Sequence, residues 1–202
     1  MMPRSSGFSL VETMLVVGIT SVIAAVAVPM MRNSVGDFKL RGDARALSST
    51  LSLTKLRAAS DFSQARLFVD LNGRTFKVET WQKTGTPGWV TEGGILKLAL
   101  NDSFGFGVVG TPPPASQNAI GQAAPCVTAA GAAIANTACV LFNSRGIPVA
   151  AAGVPPAVGA PTGNYALYLT DGTAVYGVTL SATGLIKSWR TNPSVTPSWK
   201  IQ

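Results

Sequence analysis

The sequence predicts an α+β protein: a long N-terminal helix, with a membrane half and an amphipathic half, packed on an antiparallel β-sheet head. Three observations carry this. The chain opens with an apolar run, Thr13 to Met31, that no charge interrupts. The residues after it keep helical spacing on one face. Beyond about residue 60 the pattern switches to period two, punctuated by Asn72-Gly73 and Asp171-Gly172, dipeptides that mark hairpin turns. One helix followed by hairpins is a helix laid over a sheet.

The apolar run is long enough, as a helix, to cross most of a hydrocarbon core about 30 Å thick. One charge, Glu12, stands near its start, where a carboxylate needs a partner and so reads as functional. The leader ahead of it carries Arg4. A positive flank stays cytoplasmic and places the rest of the chain across the membrane.

From Arg32 to Ala59 the helix continues. Leu40, Ala44, Leu47, Leu51, Thr54 or Lys55, and Ala58 recur at spacings of three and four, while Lys39, Arg41, Asp43, Arg45 and Arg57 lie mostly off that face. Pro29 removes a backbone donor and is expected to bend the helix. From Phe8 to Ala59 the helix would run about 80 Å.

In the head, Ala65 to Leu71 and Arg74 to Trp81 form a first hairpin about Asn72-Gly73, both turn residues tolerating positive φ. Leu96, Leu98 and Leu100 alternate as a third strand, and Phe104 to Val109 make a fourth. Gly110 to Thr137 lacks periodicity and reads as a loop. Val140 to Phe142 is a short strand ending in the turn Asn143 to Gly146, and Ala150 to Gly163 is a second loop. Tyr165 to Leu169 and Thr173 to Leu180 flank Asp171-Gly172. Leu185 to Arg190 is the last strand, and Thr191 to Gln202 is irregular.

Composition limits the chemistry. There is no histidine, so a Ser-His-Asp triad is excluded; charge is 12% of residues and the net charge +7. No phosphate loop or Cys-x-x-Cys occurs. No cofactor, no metal site and no enzyme is expected. Beyond the inner membrane the compartment is oxidising, so Cys126 and Cys139 are expected to pair. The ring they close is worth about 3 kcal/mol in the loop-closure model.

The segment Gly7, Phe8, Ser9, Leu10, Val11, Glu12 resembles the cleavage and methylation site of type IV pilins and type II secretion pseudopilins. The resemblance implies that a membrane peptidase cuts after Gly7 and that Phe8 is N-methylated. Glu12 is then the fifth mature residue and Pro29 the twenty-second, where many members have proline. It implies four parts: a leader at 1–7, a transmembrane and assembly half at 8–31, an amphipathic half at 32–60 and a β-rich periplasmic head at 61–202. The order of elements, with Phe142 to Gly146 before a loop and hairpin, resembles the GspH/FimT minor subunits.

The resemblance thus implies a minor pilin or pseudopilin, held in the inner membrane with its head in the periplasm and then built into a type IV pilus or secretion pseudopilus. Its partners would be the prepilin peptidase and N-methyltransferase, other pilin or pseudopilin subunits and the inner-membrane assembly platform. Glu12 would pair with a subunit's N-terminal amine. Competing expectations are a major pilin and a secretory signal cut after Ala25-Val26-Ala27. Another is a DNA-binding minor pilin. Some members of the group bind DNA through Gly-Arg-x-Arg; here Gly184 is followed by Leu185, Ile186 and Lys187, a departure at the first Arg. Lys187, Arg190 and Lys200 with Trp189 and Trp199 would be the DNA contacts, though core tryptophans on a solvated edge are favoured over them.

Overall fold

The computed structural model describes residues 9–202. Its one long helix, α1, spans Leu10–Ser60, so Phe8, the expected start, lies outside the described residues. The chain divides into two compact units, Met1–Phe38 and Lys39–Gln202.

In the first unit the Thr13 amide bonds the Ser9 carbonyl at 3.1 Å, opening the helix. Leu10–Ala27 has a mean hydropathy of 2.2 and is not buried. The helix is assigned without a break through Pro29.

In the second unit Leu40, Ala44, Leu47, Leu51, Thr54 and Ala58 are all buried, the face the spacing predicts. Thr54 is accommodated because its hydroxyl donates to the Thr50 carbonyl at 2.7 Å. The helix stops where Phe62 turns left-handed (φ 46°) and the Ser63 amide closes back on the Ala58 carbonyl at 3.2 Å, satisfying an orphan carbonyl of the last turn.

Eleven strands follow: β1 Ala65–Asp70, β2 Thr75–Gln82, β3 Gly88–Lys97, β4 Ser103–Phe104, β5 Thr137–Phe142, β6 Val149–Ala151, β7 Val158–Pro161, β8 Tyr165–Thr170, β9 Val175–Leu180, β10 Ile186–Thr191 and β11 Lys200–Ile201. They form a four-stranded sheet ordered β3-β2-β1-β5, a five-stranded sheet ordered β11-β10-β9-β8-β4, and the ribbon β6-β7. Every pairing is antiparallel. The buried helix face, inward β1 residues such as Leu67 and Val69, and inward β8 and β9 residues such as Leu167 and Tyr176 share one core. A smaller cluster, with Val109, Ala166, Tyr168 and Val175, lies on the other face of β8 and β9.

Several expectations need correction. The β1–β2 turn does not use positive φ at Asn72 or Gly73; Arg74 takes it, at 54°. The Asp70 carboxylate accepts the Gly73 amide at 2.8 Å; a Cβ at Gly73 would stand 2.6 Å from Asp70 Oδ2, so a side chain there would displace that carboxylate. The third strand is Gly88–Lys97, not Leu96 to Leu100. It is a sheet edge, exposed on both faces for most of its length, and its Gly93-Gly94 irregularity hides the alternation. Past Lys97 the chain leaves the sheet, burying Leu98 in the core and exposing Leu100. The fourth strand shrinks to Ser103–Phe104, because Gly105 and Gly107 end it. The fifth begins three residues early, at Thr137. Two short pairings hide in segments read as irregular: β6-β7 among the alanines and prolines of 150–163, and β11 in the tail.

The 110–137 loop has a role its composition conceals. Between β8 and β5 it runs like an extra strand. The Gln122 side chain bonds both backbone groups of Tyr168 at 2.9 Å. The Ala123 amide donates to the Ala166 carbonyl at 2.8 Å, and the Ala124 carbonyl accepts the Cys139 amide at 2.8 Å. The segment thus runs along the part of β8 that the short β4 leaves unpaired and along the edge strand β5, and joins the two larger sheets. Cys126 and Cys139 form the expected disulfide at its end.

Candidate functional site

The candidate site is the start of α1. Thr13, Thr20 and Ser21 are polar residues within the apolar span, and each hydroxyl donates to a carbonyl one turn back: Leu10 at 2.8 Å, Val16 at 2.9 Å and Val17 at 2.7 Å. Their polarity is satisfied inside the helix, as a lipid environment demands. Glu12 differs. It sits exposed in the first helical turn, and among the described residues it has no hydrogen bond or ion pair. A carboxylate suits a helix N-terminus, where the dipole is positive. Gly7 and Phe8, the expected cleavage and methylation residues, lie outside the described residues.

The DNA contacts expected near the C-terminus are only partly brought together. Arg190 and Lys200 stand opposite each other across β10 and β11. Lys187, an odd number of residues from Arg190, projects from the other face of β10. Neither tryptophan is a free platform. Trp189 is buried and its indole donates to Thr179 at 2.9 Å. Trp199 packs on Tyr168 and donates to the Thr111 carbonyl at 3.0 Å.

The Gly184 turn, read as the DNA-motif turn, is occupied from within. Lys55 of α1 donates its ammonium to the Gly184 carbonyl at 3.1 Å. A Cβ on Gly184 would lie 2.9 Å from that nitrogen, and one on Gly146 would lie 3.2 Å from the Lys55 carbonyl. Both glycines are left-handed, at φ 79° and 70°. The helix cation therefore holds the Gly184 turn, and the backbone and stem of the same lysine pack closely against the Gly146 turn. The signal was a lysine at a buried-face spacing.

A buried ion pair was also missed. Arg66 Nη2 and Glu79 Oε2 are 2.6 Å apart, with both side chains more than nine-tenths buried. The guanidinium lies 4.0 Å over the Trp89 ring and donates to the Val127 carbonyl at 2.5 Å. Burial pulls its pKa down and Glu79 opposes this. The pair fastens the far end of the bridging loop. In sequence Arg66 looks like any polar residue of an alternating strand.

Comparison with known proteins adds one motif. Residues 2–28 match the prokaryotic N-terminal methylation motif. No curated protein matches. Among solved structures, the chain is similar to the minor pseudopilin EpsH from the Type 2 Secretion System of Vibrio cholerae. The TM-score is 0.37 and the identity 10%, over 81% of this chain and 96% of that one. Of the two, the motif alone bears on function; so loose a structural overlap does not.

Proposed function

We propose that this chain is a minor pilin or pseudopilin, a structural subunit of a type IV pilus or a type II secretion pseudopilus. The methylation motif over residues 2–28 carries the reading. It joins a basic leader to an apolar helix, and it contains Gly7, Phe8 and Glu12 in the required order. The leader is 1–7. Residues 8–31 anchor the precursor in the inner membrane and later enter the filament, residues 32–60 brace the head, and 61–202 form the periplasmic head. The partners are a prepilin peptidase that also methylates, sister subunits and the assembly platform.

Glu12 is the recruiting group. After cleavage Phe8 carries a charged amine, and an acid on a neighbouring helix attracts it far more strongly in a low-dielectric bundle than in water. The helix supplies no internal partner among the described residues, which supports a partner from another subunit.

Mass spectrometry of the membrane-purified protein tests the reading. The expected mature chain begins at a monomethylated Phe8. A mature start at Val28 would identify a cleaved secretory signal and end the proposal.

A further inference from the structure

The segment that takes the chain from β3 to β4, residues 98–102, crosses from one sheet to the other and touches the helix on the way. Its backbone is held from two sides. The Ala99 amide donates to Asp43 Oδ2 of α1 at 2.7 Å, and Arg74 of the β1–β2 turn donates to the Leu100 carbonyl at 2.5 Å. The Asp102 amide closes the turn on the Ala99 carbonyl at 3.1 Å. The Asp102 side chain then points inward. The residue is 2% exposed, its Oδ2 has no hydrogen-bond partner, and the Asp43 carboxylate stands on the Ala99 amide of the same turn.

Two carboxylates cannot share such a place. A buried charge without a partner is neutralised instead, and the second of two adjacent acids ionises late. We infer that Asp43 and Asp102 share one proton, and that this proton latches the β3–β4 crossing to the helix. Losing it to solvent puts two like charges side by side and loosens the turn, together with the Ser103–Thr170 pairing beyond it.

The charged groups packed around Asp102 are Asp43, Asp171, Lys39 and Arg74, whose guanidinium also donates to the Asp102 carbonyl at 3.5 Å. Burial first, then the hydrogen bond and charge of Asp43, then the charge of Asp171 in the β8–β9 turn, push the Asp102 carboxyl up to about 7; Lys39, one turn before Asp43 on α1, pulls the other way. Asp171 itself stays ionised. Burial would raise it, but the amides of Ala174 and Thr173 and the Thr173 hydroxyl hold it below the usual carboxylate range.

An unfolded aspartate titrates at about 3.9, well below the folded Asp102. Between about pH 4 and 7 the folded chain binds the extra proton, so stability falls as pH rises across that window and levels off above it.

The test is thermal unfolding of the full chain in detergent micelles, followed by tryptophan fluorescence at pH 5.5 and 8.5. The wild-type midpoint is expected to drop by about 5 °C or more at the higher pH. Asp102→Asn should remove at least half of that drop and melt above wild type at pH 8.5. Asp43→Asn should also shrink it, since Asp102 then loses its competing charge. Infrared difference spectra at pH 6 should show a protonated carboxylic acid that Asp102→Asn abolishes. Full retention of the wild-type pH drop in Asp102→Asn overturns the latch. If Asp102→Asn does not fold, full retention in Asp43→Asn overturns it. So does a calcium-dependent rise of the wild-type midpoint at pH 8.5 that is lost on mutating either aspartate, because the carboxyls would then hold a cation rather than a proton.

Discussion

At the scale of single residues, what matters is whether a polar group has its partner inside the chain. Thr20 and Ser21 have theirs one turn back, so substituting either by alanine should leave insertion and assembly unchanged. Glu12 has none among the described residues. Stranding one member of a shielded ion pair costs about 3–5 kcal/mol. Glu12→Ala should therefore be cleaved, inserted and folded like wild type yet enter filaments poorly, with Glu12→Asp intermediate, one methylene short. The readout is the mutant to wild-type ratio in sheared filaments or crosslinked pseudopilus complexes at equal membrane levels. A processed Glu12→Ala incorporated at the wild-type ratio removes the acid from assembly. Glu12 was legible in the sequence because a lone charge beside an apolar run is conspicuous. Asp102 was not, because its burial depends on a turn whose path the pattern Leu96-Leu98-Leu100 misrepresents.

At the scale of elements, the helix was readable because its buried face repeats over five turns, whereas the short strands were not. Strands such as Val158–Pro161 and Lys200–Ile201 are too brief to show a period, and the edge strand Gly88–Lys97 has no buried face to alternate with. Pairing across the fold makes them, not local preference. The same holds for Lys55, whose neighbours in space come from residues 146 and 184. A hydrogen bond from a charged donor is worth about 1.5–3 kcal/mol when largely shielded, and Lys55 is half-buried, so Lys55→Met should cost about 1 kcal/mol. Gly146→Ala should cost about 1–3 kcal/mol, because the left-handed backbone penalises a Cβ and the Lys55 carbonyl is already 3.2 Å from where it would sit. Denaturant unfolding reads both. The two effects should be less than additive if Lys55 is what holds the Gly146 turn, since residues sharing a contact couple.

At the scale of the whole molecule, the two larger sheets of the head are bridged, from β8 to β5, by a segment that sequence alone reads as loop. Gln122 and Ala123 bond β8, Ala124 bonds β5, Arg66 holds Val127, and the disulfide ties Cys126 to β5 itself. The cysteine pair could be expected from the compartment that the N-terminal segment implies; that it lies at the junction of the sheets could not, because the bonds on either side are made by glutamine, alanine and main chain. Closing a ring of this size is worth about 3 kcal/mol in the unfolded-state model, and the double variant Cys126→Ser with Cys139→Ser should lose about that much by denaturant unfolding. Its location predicts more than its size does. If the bridge works as one unit, the double variant should lose hydrogen-exchange protection together at the Cys139 position on β5 and at Ala123 and Tyr168 beside β8, amides that belong to different sheets. The amides of β2 and β9, which pair on both sides away from the bridge, should lose only the global amount. A loss confined to the ring between residues 126 and 139, with Ala123 and Tyr168 as protected as in wild type, would mean that the disulfide stabilises only its own loop and that Gln122 holds the second sheet without it.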